Sequence, residues 1–298
     1  MAAHASPIPI IDLTTALSVD ELGEQVLKAA STIGFLFLRL PQDGKLRQES
    51  VNGMFAIAKE LFDGPLEDRQ ACSNDDDRNG YIGYRRNRLA ESAGAGDLKE
   101  NFTYGRHPEH LAETRQPLPP SLRAHRDELD DFHGACWDLT CQLLDAFSVA
   151  LKGCNGLTLI NYPAILPGRA AAEAAAAATS RASEHKDWVR TWHAAPVLPG
   201  TVLVNLGLAV EAWTSGVLRA TLHRVIVQPD ADGGFRARRS MPYFVQPRDQ
   251  VVLNPIKMDG TVDESERAVT SVEFFRQRIG ASFRATQAHE AAAIAASS

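Results

Sequence analysis

Midway along this 298-residue chain the hydrophobic pattern changes its period, and that change constrains the fold more than any single residue does. Before Leu157, apolar residues recur at spacings of three and four, which puts them on one face of a helix. Leu22, Val26, Leu27 and Ala30 follow the capping box Ser18-x-x-Glu21, and Gly34 stops that helix. Val51, Met54, Phe55, Ala58, Leu61 and Phe62 mark a second helix ending before Pro65, and Leu129, Phe132, Cys136, Leu139, Leu143 and Phe147 a long third one after Pro119-Pro120. Short extended segments are expected at Ile8–Leu13 and Phe35–Leu40. From Leu157 onward the runs are short, apolar or alternating, and separated by turn residues, as in an antiparallel β-core. They cover Leu157–Tyr162, Thr201–Leu206, His223–Gln228 and Met241–Val245, with Asp230-Ala-Asp-Gly-Gly234 as a hairpin turn. A last helix is expected from Thr270-x-x-Glu273, packing Val272, Phe275 and Ile279, and the tail from Ala291 to Ser298 is low in complexity. The fold class is therefore α+β.

Composition narrows the partners. A net charge of −6 provides no basic footprint for nucleic acid or an acidic membrane surface. The start, Met1-Ala-Ala-His-Ala-Ser-Pro7, lacks the basic and apolar regions of a signal peptide, and no run nears the roughly 18 apolar residues of a membrane span. A cytoplasmic protein is expected. Cys72, Cys136, Cys141 and Cys154 form no Cys-x-x-Cys pair and no zinc-like grouping with His, so they read as buried or semi-buried thiols.

The residues that carry chemistry lie in the second half. Arg181-Ala-Ser-Glu-His-Lys-Asp187 offers His185 and Asp187, and Ala220-Thr-Leu-His-Arg-Val225 offers His223. Two imidazoles and one carboxylate on one face of an octahedral ion leave three positions open, an arrangement suited to non-haem Fe(II) activating dioxygen. Alone, the His-x-Asp signal is weak, since nine His and 37 acidic residues give roughly one such triplet by chance. His107-Pro-Glu109 lies in a Pro-rich stretch. His125-Arg-Asp127 falls in a helical pattern, where i and i+2 side chains diverge. In an extended segment i and i+2 share a face, so His185 and Asp187 can converge. Three arginines compete downstream, Arg236, Arg238 and Arg239. The two-residue spacing to Ser240, on one strand face, favours Arg238.

Along most of its length the chain resembles the Fe(II)/2-oxoglutarate-dependent dioxygenases of the isopenicillin N synthase-like family. Ile8–Leu13, Gly34–Leu38, Arg78-Asn-Gly-Tyr-Ile-Gly-Tyr84 and Asp97-Leu-Lys-Glu-Asn-Phe102 look like its N-terminal region. Tyr162-Pro163, His185-x-Asp187, Pro199–Asn205, Trp213-Thr-Ser-Gly216, Thr221–Val225 and Arg238-x-Ser240 resemble its oxygenase core, in order. The resemblance implies a double-stranded β-helix, or jelly roll, flanked by N- and C-terminal helices. The expected layout is an N-terminal region over 1–118, a long support helix over 119–155, the core over 156–250, and a C-terminal helix and tail over 251–298. It also implies His185, Asp187 and His223 as Fe(II) ligands, Arg238 and Ser240 on the distal carboxylate of 2-oxoglutarate, and Tyr162 donating its phenol to that co-substrate. Dioxygen is the third reactant, and the implied outcome is hydroxylation, desaturation or ring closure of a small organic molecule, with 2-oxoglutarate decarboxylated to succinate and CO2. Asn205, Trp213 and His193 read as structural or surface residues. A relative that uses iron without 2-oxoglutarate is the rival enzyme reading, which Arg238 and Ser240 oppose. A shortened, non-catalytic binding protein of the same fold is the other rival.

The departures matter as well. Between Asp187 and Trp192 the family normally has a strand, a hairpin and the start of the next strand, and a similar contraction falls at Gly153-Cys154-Asn155. Loss of about two strands would leave backbone edges unpaired and open one wall of the pocket. Three explanations stay open: residues missing from the sequence as written, a shortened variant, or a partner chain that supplies the wall. Leu208 stands where the family usually has Asp, and Ile160 where it often has Asn, which puts one co-substrate contact in doubt.

Overall fold

The computed structural model describes residues 6–73, 80–83, 99–105, 116–151, 165–167, 192–223, 225, 232–234, 237–255 and 269–277. β1 (Ile10–Asp12) leads into α1 (Val19–Thr32), whose N-terminus is the expected capping box: Glu21 N–H donates to Ser18 Oγ and Ser18 N–H to Glu21 Oε2. The chain leaves α1 at Ile33, turns at Gly34 and enters β2 (Phe35–Arg39). Then come α2 (Gln48–Asp63), α3 (Leu66–Gln70), and the antiparallel pair β3 (Gly80–Ile82) and β4 (Asn101–Thr103).

The long helix expected after Pro119-Pro120 is two helices, α4 (Pro120–Ala124) and α5 (Arg126–Ala150). The break falls at His125, whose backbone (φ −113°, ψ 25°) leaves the helical region. Its ring lies between Glu128 Oε1 at 3.2 Å and Glu60 Oε2 at 3.3 Å, contacts that tie the break to α2.

Three strands join the two halves of the sequence. β2 pairs parallel with β1 and antiparallel with β6 (Thr201–Asn205), with Phe35 opposite Asn205 and Arg39 opposite Thr201. The predicted run Thr201–Leu206 is thus a strand, and its partner comes from the N-terminal region. α1 packs on α5, and Val26, Ala30, Leu36, Leu38, Ala146 and Phe147 form the centre of the main core. α6 (Leu208–Trp213) and Leu218 close it, with Trp213 9% and Leu218 1% exposed. A second cluster holds Met54, Ile57, Leu61, Leu118 and Leu122.

One strand expectation needs correction. Pairing near Met241–Val245 starts only at Val245, where β7 (Val245–Pro247) meets β5 (Ile165–Pro167). Pro242 has no N–H to give a ladder, which argues against an earlier start. Of the predicted His223–Gln228 run only His223 and Val225 are described, neither of them in a strand, and the rest lies outside the described residues. The final helix opens as expected: Thr270 Oγ1 and N–H both donate to Glu273 Oε2, and residues 271–277 are helical. Its buried anchor is Phe274 at 7% exposure, with Phe275 packed beside the core. Leu157–Tyr162, the two contractions up to Trp192, Ile279 and the tail lie outside the described residues.

Candidate active site

Of the residues expected to hold iron and co-substrate, the structure describes His223, Arg238 and Ser240, whereas His185, Asp187 and Tyr162 fall outside the described residues. Among the described residues no three His, Cys, Asp or Glu side chains gather as a metal site. What is described shows how the chain delivers His223. Gly34 sits at φ 75°, and a Cβ there would lie 2.3 Å from Arg219 O and 2.8 Å from Thr221 Oγ1. Only glycine lets residues 219–221 pass so close. Arg219 N–H donates to Ala30 O at 3.0 Å and Thr221 Oγ1 donates to Ile33 O, so the approach to His223 is pinned to the end of α1. Just upstream, buried Thr214 accepts from Leu218 N–H and donates to Val210 O, and this fixes the turn through Ser215 and Gly216.

His223 is exposed, its ring meets Phe35 edge-on with centroids 5.4 Å apart, and its Nδ1 lies 3.0 Å from Thr221 O. With the proton on Nδ1 toward that carbonyl, Nε2 carries the lone pair, the tautomer a metal-binding imidazole needs. That is the arrangement of an imidazole free to ligate a metal through Nε2; the other two expected donors, His185 and Asp187, lie outside the described residues.

Arg238 and Ser240 are both exposed, and residues 237–244 run without turn or bend into β7. Between them, Arg239 Nη2 donates to Asp63 Oδ1 at 2.9 Å. Asp63, which the sequence reading passed over, also pairs with Lys59, and Lys59 with Arg239 holds its carboxyl below the usual carboxylate range. A signal existed: a carboxylate on the last residue of a helix opposes the helix dipole and asks for a partner. Arg69 is the second residue missed. Only 6% exposed, it donates through Nη1 to Leu61 O (2.9 Å) and Gly64 O (2.8 Å), faces the rings of Phe62 and Tyr81, and lies 3.6 Å from Glu100.

The remaining features carry none of the expected ligands. A cavity of ≈ 430 Å³ between α2, α3 and α4 is lined by Glu60, Asp68, Arg69, Pro119 and Pro120, and contains none of the expected ligands. Cys72, Cys136 and Cys141 form no disulfide among the described residues, and burial pushes Cys136 up to about 12. His193 is exposed, and Trp213 is a core residue.

Comparison with known proteins defines the class. The fold is shared with a crystal structure of a 2OG-Fe(II) oxygenase family protein from Caulobacter crescentus, at a TM-score of 0.68 and 20% identity over 92% of this chain and 98% of that one. Residues 8–123 match the N-terminal family described as non-haem dioxygenase in morphine synthesis, and residues 179–247 match the 2OG-Fe(II) oxygenase superfamily. The chain belongs to the 2-oxoglutarate/Fe(II) oxygenases of the isopenicillin N synthase-like family. It is an oxidoreductase, a 2-oxoglutarate-dependent dioxygenase whose reaction draws on Fe(II), 2-oxoglutarate and dioxygen. Among its relatives are a UPF0676 protein of Schizosaccharomyces pombe, 29% identical over 91% of both chains, and a 2-oxoglutarate-dependent dioxygenase of Gibberella zeae, 27% identical over 87% of this chain and 80% of that one. Both alignments run over 312 positions, more than the 298 residues here, so each relative carries residues without a counterpart in this chain. Among the described residues no helix is long and apolar enough to cross a membrane.

Proposed function

We propose that this dioxygenase oxidises a small organic molecule at a site formed by His185, Asp187 and His223 around iron, with Arg238, Ser240 and Tyr162 around 2-oxoglutarate. The observation that carries it is His223, set with Nδ1 on Thr221 O and Nε2 left for a metal, fifteen positions before Arg238 on a segment pinned to the end of α1. When bound, iron supplies dioxygen activation coupled to decarboxylation of 2-oxoglutarate to succinate and CO2. The protein supplies orientation. His223 offers its lone pair from a tautomer fixed by the backbone. Arg238 and Ser240 take the distal carboxylate; paired guanidinium donors fix direction as well as charge. Tyr162 donates its phenol to the same co-substrate. We assign the layout to an N-terminal region over 1–118, a support helix over 119–155, a double-stranded β-helix core over 156–250 and a C-terminal helix and tail over 251–298.

Several things support this reading. The family matches fall in the expected order, and Arg239 is engaged by Asp63 while Arg238 is exposed. The 2-oxoglutarate-dependent names among the relatives weigh against both rivals, the iron oxidase without 2-oxoglutarate and the non-catalytic binding protein. The test is an anaerobic titration with Fe(II) and 2-oxoglutarate, following the visible charge-transfer band, on wild type and His185→Ala. A band present in wild type and lost in the variant is the expected result; a folded wild type without a band overturns the reading.

A further inference from the structure

Residues 237–244 lead into β7 without a turn or bend, and a run that continues a strand alternates its side chains between two faces. Two contacts tie this run to the N-terminal helices. Arg239 binds Asp63 at the end of α2, and Tyr243 meets His133 of α5 edge-on, with ring centroids 5.2 Å apart. Residues 239 and 243 share parity, so both contacts select the same face. Residues 238 and 240 fall on the other.

The anchor at Asp63 is itself held. Arg69 caps the last carbonyls of α2 through its bonds to Leu61 O and Gly64 O, and it is packed against Phe62 and Tyr81. Tyr81 Oη donates to Glu100 Oε2 at 2.7 Å, and Glu100 stands 3.6 Å from Arg69 Nε. The end of α2 therefore has a fixed position relative to the β3–β4 pair. A carboxylate there goes against the helix dipole; Lys59, one turn earlier, answers it within α2, and Arg239 adds a second partner from a distant segment.

We propose that Asp63 is a positioning residue for the co-substrate: by holding Arg239, it turns Arg238 and Ser240 toward 2-oxoglutarate. This rests on the assignment of Arg238 and Ser240 to the distal carboxylate. The ion pair is partly exposed, with 38% and 47% of the two side chains accessible, so its contribution to global stability is small and its effect belongs in affinity.

The experiment measures the 2-oxoglutarate dissociation constant of the Fe(II)-loaded full-length protein, anaerobically, by the charge-transfer band, for Asp63→Asn, Arg239→Gln, their combination, Arg239→Lys and Arg238→Gln. Each single neutral variant is expected to weaken 2-oxoglutarate by about two- to fivefold, the range of an exposed pair. The double variant should be no weaker than either single one, because one interaction is lost in all three. Arg239→Lys, which keeps the charge, should recover most of the affinity. Melting temperature and Fe(II) affinity without 2-oxoglutarate should stay at wild type, which a general loosening of the fold would not allow. If Arg238→Gln weakens binding while Asp63→Asn and Arg239→Gln do not, the positioning role is overturned and the Arg238 assignment survives. Unchanged binding in Arg238→Gln overturns that assignment and the proposal with it.

Discussion

In the α1–β2 layer, Val26, Ala30 and Leu38 have 0% exposure and Leu36 has 1%. In the later segment that carries the expected ligands, Val197 is 95% exposed, Val225 64%, Trp192 45% and Leu203 42%. The first region supplies the centre of the core; the second adds Trp213 and Leu218 to it but displays these four. Loops and chain ends that carry function sit on a scaffold whose stability comes from elsewhere. The comparison therefore makes a claim about mutations: changes in the N-terminal layer should cost stability, and changes among the ligands should cost binding with little loss of stability.

The largest effect is expected at Arg69. Arg69→Met removes a buried guanidinium, strips the Leu61 and Gly64 carbonyls of their donor and leaves Glu100 with only the Tyr81 hydroxyl, so urea denaturation should show a loss of about 3 to 5 kcal/mol. Leu38→Ala, at a fully buried position, should lose about 2 to 5 kcal/mol by the same measurement. A loss under about 1 kcal/mol at both sites would break the contrast. Gly34→Ala tests the junction between the regions, since the new Cβ meets Arg219 O and the backbone is left-handed. The expected loss is about 1 to 3 kcal/mol, and the iron and 2-oxoglutarate band should weaken along with it.

Smaller still is the effect of His125. Glu128, and then Glu60, raise this imidazole above its usual value. A group raised on folding stabilises below its unfolded pKa of about 6.5 and loses that contribution as pH rises through the folded value. His125→Gln should therefore be less stable than wild type near pH 5.5 and match it near pH 8.5, as read from urea midpoints. His223→Ala should have the smallest effect on stability, within about 0.5 kcal/mol, because the ring is exposed. It should nevertheless abolish the charge-transfer band, and a retained band would remove His223 from the iron site.

Local elements were legible where short-range chemistry decides them. Ser18 with Glu21 and Thr270 with Glu273 form capping boxes that involve only neighbouring residues, and both helices start where the motif says. The residues of Thr201–Leu206 were readable as a strand from their pattern. Their partner β2, more than 160 positions away, was not, because strand pairing depends on contacts that no local window contains. The apolar spacing from Leu129 to Phe147 marked α5, but the break at His125 lies ahead of it, where the ring meets Glu60 of another helix. The predicted start at Met241 overlooked Pro242.

At the candidate site the division is similar. Residue type and spacing were enough to nominate His223, Arg238 and Ser240, because metal and carboxylate chemistry restricts the side chains that can serve. The same chemistry could not give Asp63 its partner: its place at the end of a helix asks for a cation, but only the fold brings Arg239 to it across 176 positions. The sequence by itself nominated the side chains proposed for iron and 2-oxoglutarate, because donor chemistry belongs to the side chain. Tertiary structure decided which arginine is engaged elsewhere and how closely the chain passes Gly34, because direction and proximity come from packing between distant segments.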